Sequence, residues 1–226
     1  MIKTIFRAIF SFGAVFCVGG TQAACPTPVG PLAWSNGIYV LYTFQQGSGG
    51  PPPNGFNPIS WSTMPTTVSD IASAMGAWTT DNATFNSTLV QFVQTSAGAF
   101  RFFAYQVNYP GTPGLDPGVA AQTAMAHIVG TSILVQATTT FYYGSLSPLT
   151  GTLTMDPAAP GYDSFMSRVT LHEVGHTMGL TDQPLGGGFC AGQVAGQSVM
   201  NSNCGTNDSA GNIAASVTAC DNASLW

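Results

Sequence analysis

Positive charge is almost absent from this sequence. Its 226 residues hold four Lys and Arg against nine Asp and Glu. Two of the four cations, Lys3 and Arg7, precede the first apolar run, and beyond that run there is no lysine and only Arg101 and Arg168. Phosphate contacts need cations, so a nucleic-acid partner and an anionic membrane surface are not expected. Acidic side chains are sparse too, and Glu173 is the one glutamate in the chain. No later apolar run reaches the ~20 residues of a membrane helix. Internal repeats, and linkers long enough to divide the chain, are also missing.

What is present begins with MIKTIFRAIFSFGAVFCVGGTQA. Two cations, a short apolar run and a small-residue ending form the pattern of a secretory signal peptide over residues 1–23, with cleavage after Ala23. A lipoprotein reading of Cys25 meets Gln22 where such signals take Leu or Val. The remaining stretch, 24–226, is long enough for one domain with a sizeable core. It is expected to be secreted, monomeric and free of the membrane after signal cleavage. Cys17 leaves with the signal, so Cys25, Cys190, Cys204 and Cys220 remain, an even number in an oxidising compartment. Two disulfides are expected; three connectivities are open, with Cys190 to Cys204 and Cys25 to Cys220 preferred, and free buried thiols the alternative. Gly, Ser, Thr and Asn are abundant, but aromatic and aliphatic residues are spread throughout, as in a folded chain rather than a disordered one.

Alternation of apolar and aromatic residues in NGIYVLYTF predicts a first strand. The Gly- and Pro-rich QQGSGGPPPNGFNP reads as neither helix nor strand. In TTVSDIASAMGAWTTDNAT, Val68, Ile71, Met75 and Trp78 recur at spacings of three and four, which predicts a helix with one apolar face, capped by Ser69 or a nearby Thr and backing a sheet. Strands are expected at 87–95, 99–108 and 132–143, with 120–128 a weaker candidate. A second helix begins near Asp163 or Ser164, carries Phe165, Val169, His172 and His176, and ends at Gly179. The tail is mostly loop, with a short helix after Asn212.

The second helix carries LHEVGHTMGLTD, residues 171–182. Positions i and i+4 share a helical face, so His172 and His176 can present their imidazoles to one ion. Glu173 projects one position round the cylinder, beside a water at the site rather than on the ion, which suits a general base. Gly179 can end the helix in the left-handed conformation and turn the chain so that Asp182 approaches the same ion.

Here the sequence resembles the metzincin zinc proteases, whose motif is H-E-x-x-H-x-x-G-x-x-H with a methionine turn beneath the metal. His172, Glu173, His176 and Gly179 match, Asp182 stands at the last position, and Met200 in QSVMN is similar to the turn methionine. The order strand, backing helix with a late Trp, strands and zinc helix resembles the metzincin order over most of residues 37–204. The resemblance implies an α+β fold: a twisted mixed sheet with a backing helix and a zinc-binding helix, an N-terminal subdomain of about 32–179, and a small loop-rich C-terminal subdomain of about 180–226 with the methionine turn. It implies Zn2+ held by His172, His176 and Asp182, with an aspartate third ligand as in the snapalysin-like branch, and Glu173 as catalytic base. A protein or peptide substrate would lie along an edge strand, here about Val119–Ala126. Carboxylate oxygen is an ordinary zinc ligand, and an anion in place of imidazole acidifies a bound water less. Asn201, Ser202 and Asn203 follow Met200 where many metzincins place a tyrosine.

Alternatives stay open beside this one. GTNDSAG, residues 205–211, resembles an aspzincin stretch that would make Asp208 the third ligand, although its tyrosine is missing. His127 lies far from the motif on an expected strand and reads as a satisfied polar residue or a rim residue before a ligand. The Asn and Asp loops offer oxygen to Ca2+, but turn chemistry explains them without an ion. The competing function is a secreted binding or adhesion module that keeps zinc for stability alone. Such a module has no use for a carboxylate beside an open coordination position. No inhibitory prodomain is expected between Ala23 and the first strand.

Overall fold

Strand propensity and burial explain the sheet at the centre of the computed structural model, which describes residues 32–35, 37–47, 55–85, 90–107, 120–144, 156–158, 160–180, 182, 197–201 and 213–223. Its elements run β1 Tyr39–Phe44, β2 Phe56–Pro58, a 3-10 turn Trp61–Thr63, α1 Pro65–Phe85, β3 Gln91–Gln94, β4 Phe100–Val107, β5 Ala121–His127, β6 Leu134–Tyr143, α2 Tyr162–Thr177 and α3 Ala219–Ala223. The fold is α+β with a mixed sheet of order β3-β1-β4-β6-β5, and β2 pairs with β4 off that path. β1, β3, β4 and β6 are parallel, whereas β5 runs antiparallel to β6 and ends the sheet.

One sheet face is aromatic and buried. Tyr42, Phe92, Phe100, Phe102, Phe141 and Tyr143 join Ile71, Met75 and Trp78 of α1 and Phe165, Met166 and Val169 of α2 in a single core. The expected apolar face of α1 is therefore the one that packs, and Trp78 also donates its indole N–H to the Leu171 carbonyl at 3.0 Å. That bond fixes α1 to the back of α2. The opposite sheet face carries a smaller cluster of Phe103, Tyr105, Val107 and Tyr142, with Phe56 packed against it.

Two expectations need correction. The Gly- and Pro-rich segment does contain a strand, because Phe56 gains an aromatic roof over Tyr105 and Tyr142, with ring centroids 6.0 and 5.9 Å away. Pro58 is tolerated there because β2 is an edge strand. Ser69 does not cap α1; the helix starts a turn earlier, at Pro65, whose fixed φ suits the first helical position. The weaker strand candidate, 120–128, is a seven-residue strand. Among the described residues no helix is long and apolar enough to cross a membrane. The signal segment 1–23 lies outside the described residues, as do Cys25, Cys190, Cys204 and Asp208. Cys220 is disulfide-bonded.

Candidate metal centre and cleft

Helix α2 ends in a turn that the sequence dictates. Gly179 adopts φ 88°, and the Gly179 and Leu180 N–H groups donate to the carbonyls of His176 and Gly175 at 3.1 Å each. This pair of bonds is a Schellman motif, which reverses the chain directly after the helix. The reversal returns Asp182 to the face that carries both histidines. Asp182 Oδ1 lies 2.9 Å from His172 Nε2 and 3.7 Å from His176 Nε2. The ligand atoms of the three residues fall within 4.8 Å of one another, so the group can hold a metal ion.

Backbone carbonyls fix the outward nitrogens of both rings. His172 Nδ1 is 2.9 Å from the Val199 carbonyl, and His176 Nδ1 is 3.1 Å from the Leu180 carbonyl. A carbonyl can only accept, so each Nδ1 carries the proton and each Nε2 faces the shared point. Such outer partners set ring orientation at metal sites. Burial pushes the His172 imidazolium down, but the Asp182 hydrogen bond, the charges of Glu173 and Asp182, and the Val199 carbonyl outweigh it and raise its pKa. The His172 hydrogen bond holds the Asp182 carboxyl below its ordinary range, against the opposing effect of burial. A metal ion would take the Nε2 lone pair, for which it competes with a proton.

Met200 sits in a turn whose Asn201 N–H donates to the Ser198 carbonyl at 3.4 Å. The turn hangs on Asp221 of α3, a fully buried carboxylate. Asp221 accepts from Ser198 Oγ at 2.6 Å, the Val199 N–H at 3.2 Å and the Thr218 N–H at 2.8 Å. Through the Val199 carbonyl this network reaches His172. Nothing in the sequence marked Asp221, which belongs to no motif.

Glu173 is buried on α2, and its Oε2 accepts from Thr123 Oγ1 of β5 at 2.6 Å. Beside it opens a cleft of about 610 Å3 lined by Ala121–Met125, Tyr142, His172, His176 and Asp182 among others. Tyr142 donates to Gln122 Oε1 at 3.0 Å. Burial, then the charge of Glu173, raises the Tyr142 phenol. The strand expected along the cleft, about Val119–Ala126, is β5 apart from its first residues. Thr123 was not singled out in the sequence, although the alternation of Ala121, Thr123 and Met125 on one face of β5 carries the signal. His127 stands exposed at the far end of β5, outside the ligand group.

No family model matches the chain, and no curated protein does. A chain in the GM1-bound form of the ECX AB5 holotoxin is similar over 81% of this chain and 74% of its own length, at 16% identity and TM-score 0.40.

Proposed function

We propose that the chain is a secreted zinc-dependent endopeptidase of the metzincin kind, with His172, His176 and Asp182 as metal ligands and Glu173 as general base. One observation carries this reading: three donors converge beside a buried glutamate at the rim of a cleft along an edge strand. The donor set suits zinc. Two imidazoles with their Nδ1 protons engaged and one carboxylate make a borderline N/O site of the catalytic type. Ligands about 2.0–2.2 Å from a common ion stand about 3–4 Å apart, which accords with the 2.9 and 3.7 Å contacts of Asp182.

Zinc, when bound there, polarises a scissile carbonyl and acidifies a water. Glu173 accepts that water's proton and returns it to the leaving amine. β5 has β6 on one side and no partner on the other among the described residues. Its free edge offers backbone N–H and C=O groups to an extended peptide, which is how a strand binds a strand. Casein hydrolysis by the zinc-loaded mature chain, abolished by a chelator and restored by zinc, is the expected result. A zinc-loaded chain that leaves casein and short peptides intact would favour the non-catalytic binding module instead.

A further inference from the structure

We infer that Thr123 is a positioning residue for Glu173, so that the general base is aimed from the edge strand as well as from the helix that carries it. The catalytic half of this inference rests on the peptidase reading above; the hydrogen bond itself does not. Thr123 Oγ1 lies 2.6 Å from Glu173 Oε2 and 2.7 Å from Thr139 Oγ1. An ionised carboxylate can only accept, so Thr123 donates its one proton to Glu173, and the contact with Thr139 must run the other way. The result is a directed chain, Thr139 to Thr123 to Glu173. Its origin is rigid: Thr139 is fully buried, and it is the register partner of Thr123 across β5 and β6.

Glutamate has three rotatable bonds, and a free side chain would sample several rotamers. Among the described residues no other side chain hydrogen-bonds this carboxylate, and Thr123 takes only Oε2. Glu173 lines the cleft, and the lone pairs of Oε1 remain for the proton of the attacking water. A base that must take and return a proton has to be held within about 0.5 Å of its productive place. Thr123 lies on the same strand that lines the cleft, at Ala121–Met125. A peptide laid along β5 and the carboxylate that attacks it are thereby referenced to one element.

The scarcity of glutamate makes the test direct. Glu173 is the only glutamate in the chain, so cell-free synthesis with glutamate labelled at the side-chain carboxyl carbon gives one carboxylate signal. Thr123→Val removes the hydroxyl at nearly constant volume, and Thr123→Ser keeps it. In zinc-loaded protein the signal should move in Thr123→Val and return to its wild-type position in Thr123→Ser. On a peptide substrate Thr123→Val should lower kcat by about 10- to 100-fold with KM within about twofold, and Thr123→Ser should stay within about threefold. If Thr123→Val folds poorly because Thr139 loses its acceptor, the double variant Thr123→Val, Thr139→Val removes that orphaned donor and carries the same expectations. An unmoved signal, an unchanged kcat, or a serine variant as impaired as the valine variant would each overturn the inference. A wild-type chain that hydrolyses nothing while the signal still responds would leave Thr123 as the positioner of Glu173 and overturn the peptidase reading alone.

Discussion

Gly175 and Met200 meet with no room for a side chain between them. A Cβ on Gly175 would overlap the sulfur of the fully buried Met200, with Trp78 Cζ2 only 3.5 Å from the same point. Met200, α2 and α1 thus converge on one glycine in the last turn of α2.

Two effects compete in Gly175→Ala. Alanine favours a helix interior by about 1 kcal/mol over glycine, whereas overpacking a filled core costs about 1–3 kcal/mol. The collision is with the sulfur of a fully buried side chain, whose displacement disturbs the packing around it, so the net change should be destabilising by about 1 kcal/mol. In a Met200→Ala background the obstacle is gone, and the same substitution should stabilise. Urea unfolding of the four proteins of this cycle measures the difference; equal effects of Gly175→Ala in both backgrounds would show that the contact carries no energy.

Asp221→Asn should destabilise by about 3 kcal/mol. The amide places N–H donors against the buried donors of Ser198, Val199 and Thr218, which the carboxylate satisfies. Because the turn also presents the Val199 carbonyl to His172, metal affinity should fall together with the melting temperature. Calorimetry beside a chelator competition tests both; a variant with wild-type stability would remove Asp221 from the account.

Metal retention separates the roles at the centre. Glu173→Gln should keep the metal and lower turnover by about 100- to 10,000-fold, since ligation does not need this carboxylate but proton transfer does. Asp182→Ala should weaken metal binding about 100-fold or more. Asp208→Ala should leave it unchanged, because His172, His176 and Asp182 already form a three-donor group among the described residues. Loss of metal from the Asp208 variant would hand the third position to that residue.

Asp70 on α1 sets a pH dependence of stability. Its Oδ2 is buried without a hydrogen-bond partner among the described residues. Burial and then the charge of Asp163 push the carboxyl up to about 6, and Tyr143 and Tyr162 lie within reach of its charge. An unfolded aspartate titrates near 4, so folding takes up a proton between these values. The contribution is fully present below pH ~4 and is lost as pH rises through ~6. Asp70→Asn should therefore raise the melting temperature above pH 6 and have little effect near pH 4. An equal shift at both pH values would contradict the assignment.

Trypsin should cut the native chain slowly beyond residue 23. Arg101 lies within β4 and Arg168 within α2, where its Nη1 donates to the Ile213 carbonyl at 2.5 Å. Cleavage needs a locally unfolded stretch, so protection should persist until the Cys220 disulfide is reduced or a metal held by the proposed centre is removed. Rapid cleavage after Arg168 with both in place would contradict the protection expected there.

The sequence by itself determined the helices, most strands and which three side chains, His172, His176 and Asp182, come together. Each rests on local physics: apolar residues three and four apart, alternating residues in strands, two histidines one turn apart, and a glycine free to adopt positive φ at Gly179. Asp182 was legible for the same reason, since a Schellman turn fixes where the chain goes three residues after its glycine. Tertiary structure alone decided the rest. β2 forms only because Phe56 finds Tyr105 and Tyr142, which lie far from it in sequence. Thr123 reaches Glu173 because antiparallel pairing with β6 and packing on α2 bring residues 50 positions apart within hydrogen-bond distance. Asp221 supports His172 through the Val199 carbonyl, and neither a backbone acceptor nor a lone aspartate leaves any periodic trace in sequence. A local pattern specifies which groups can bind; which surroundings hold them in place depends on the packing of elements that no short window of sequence contains.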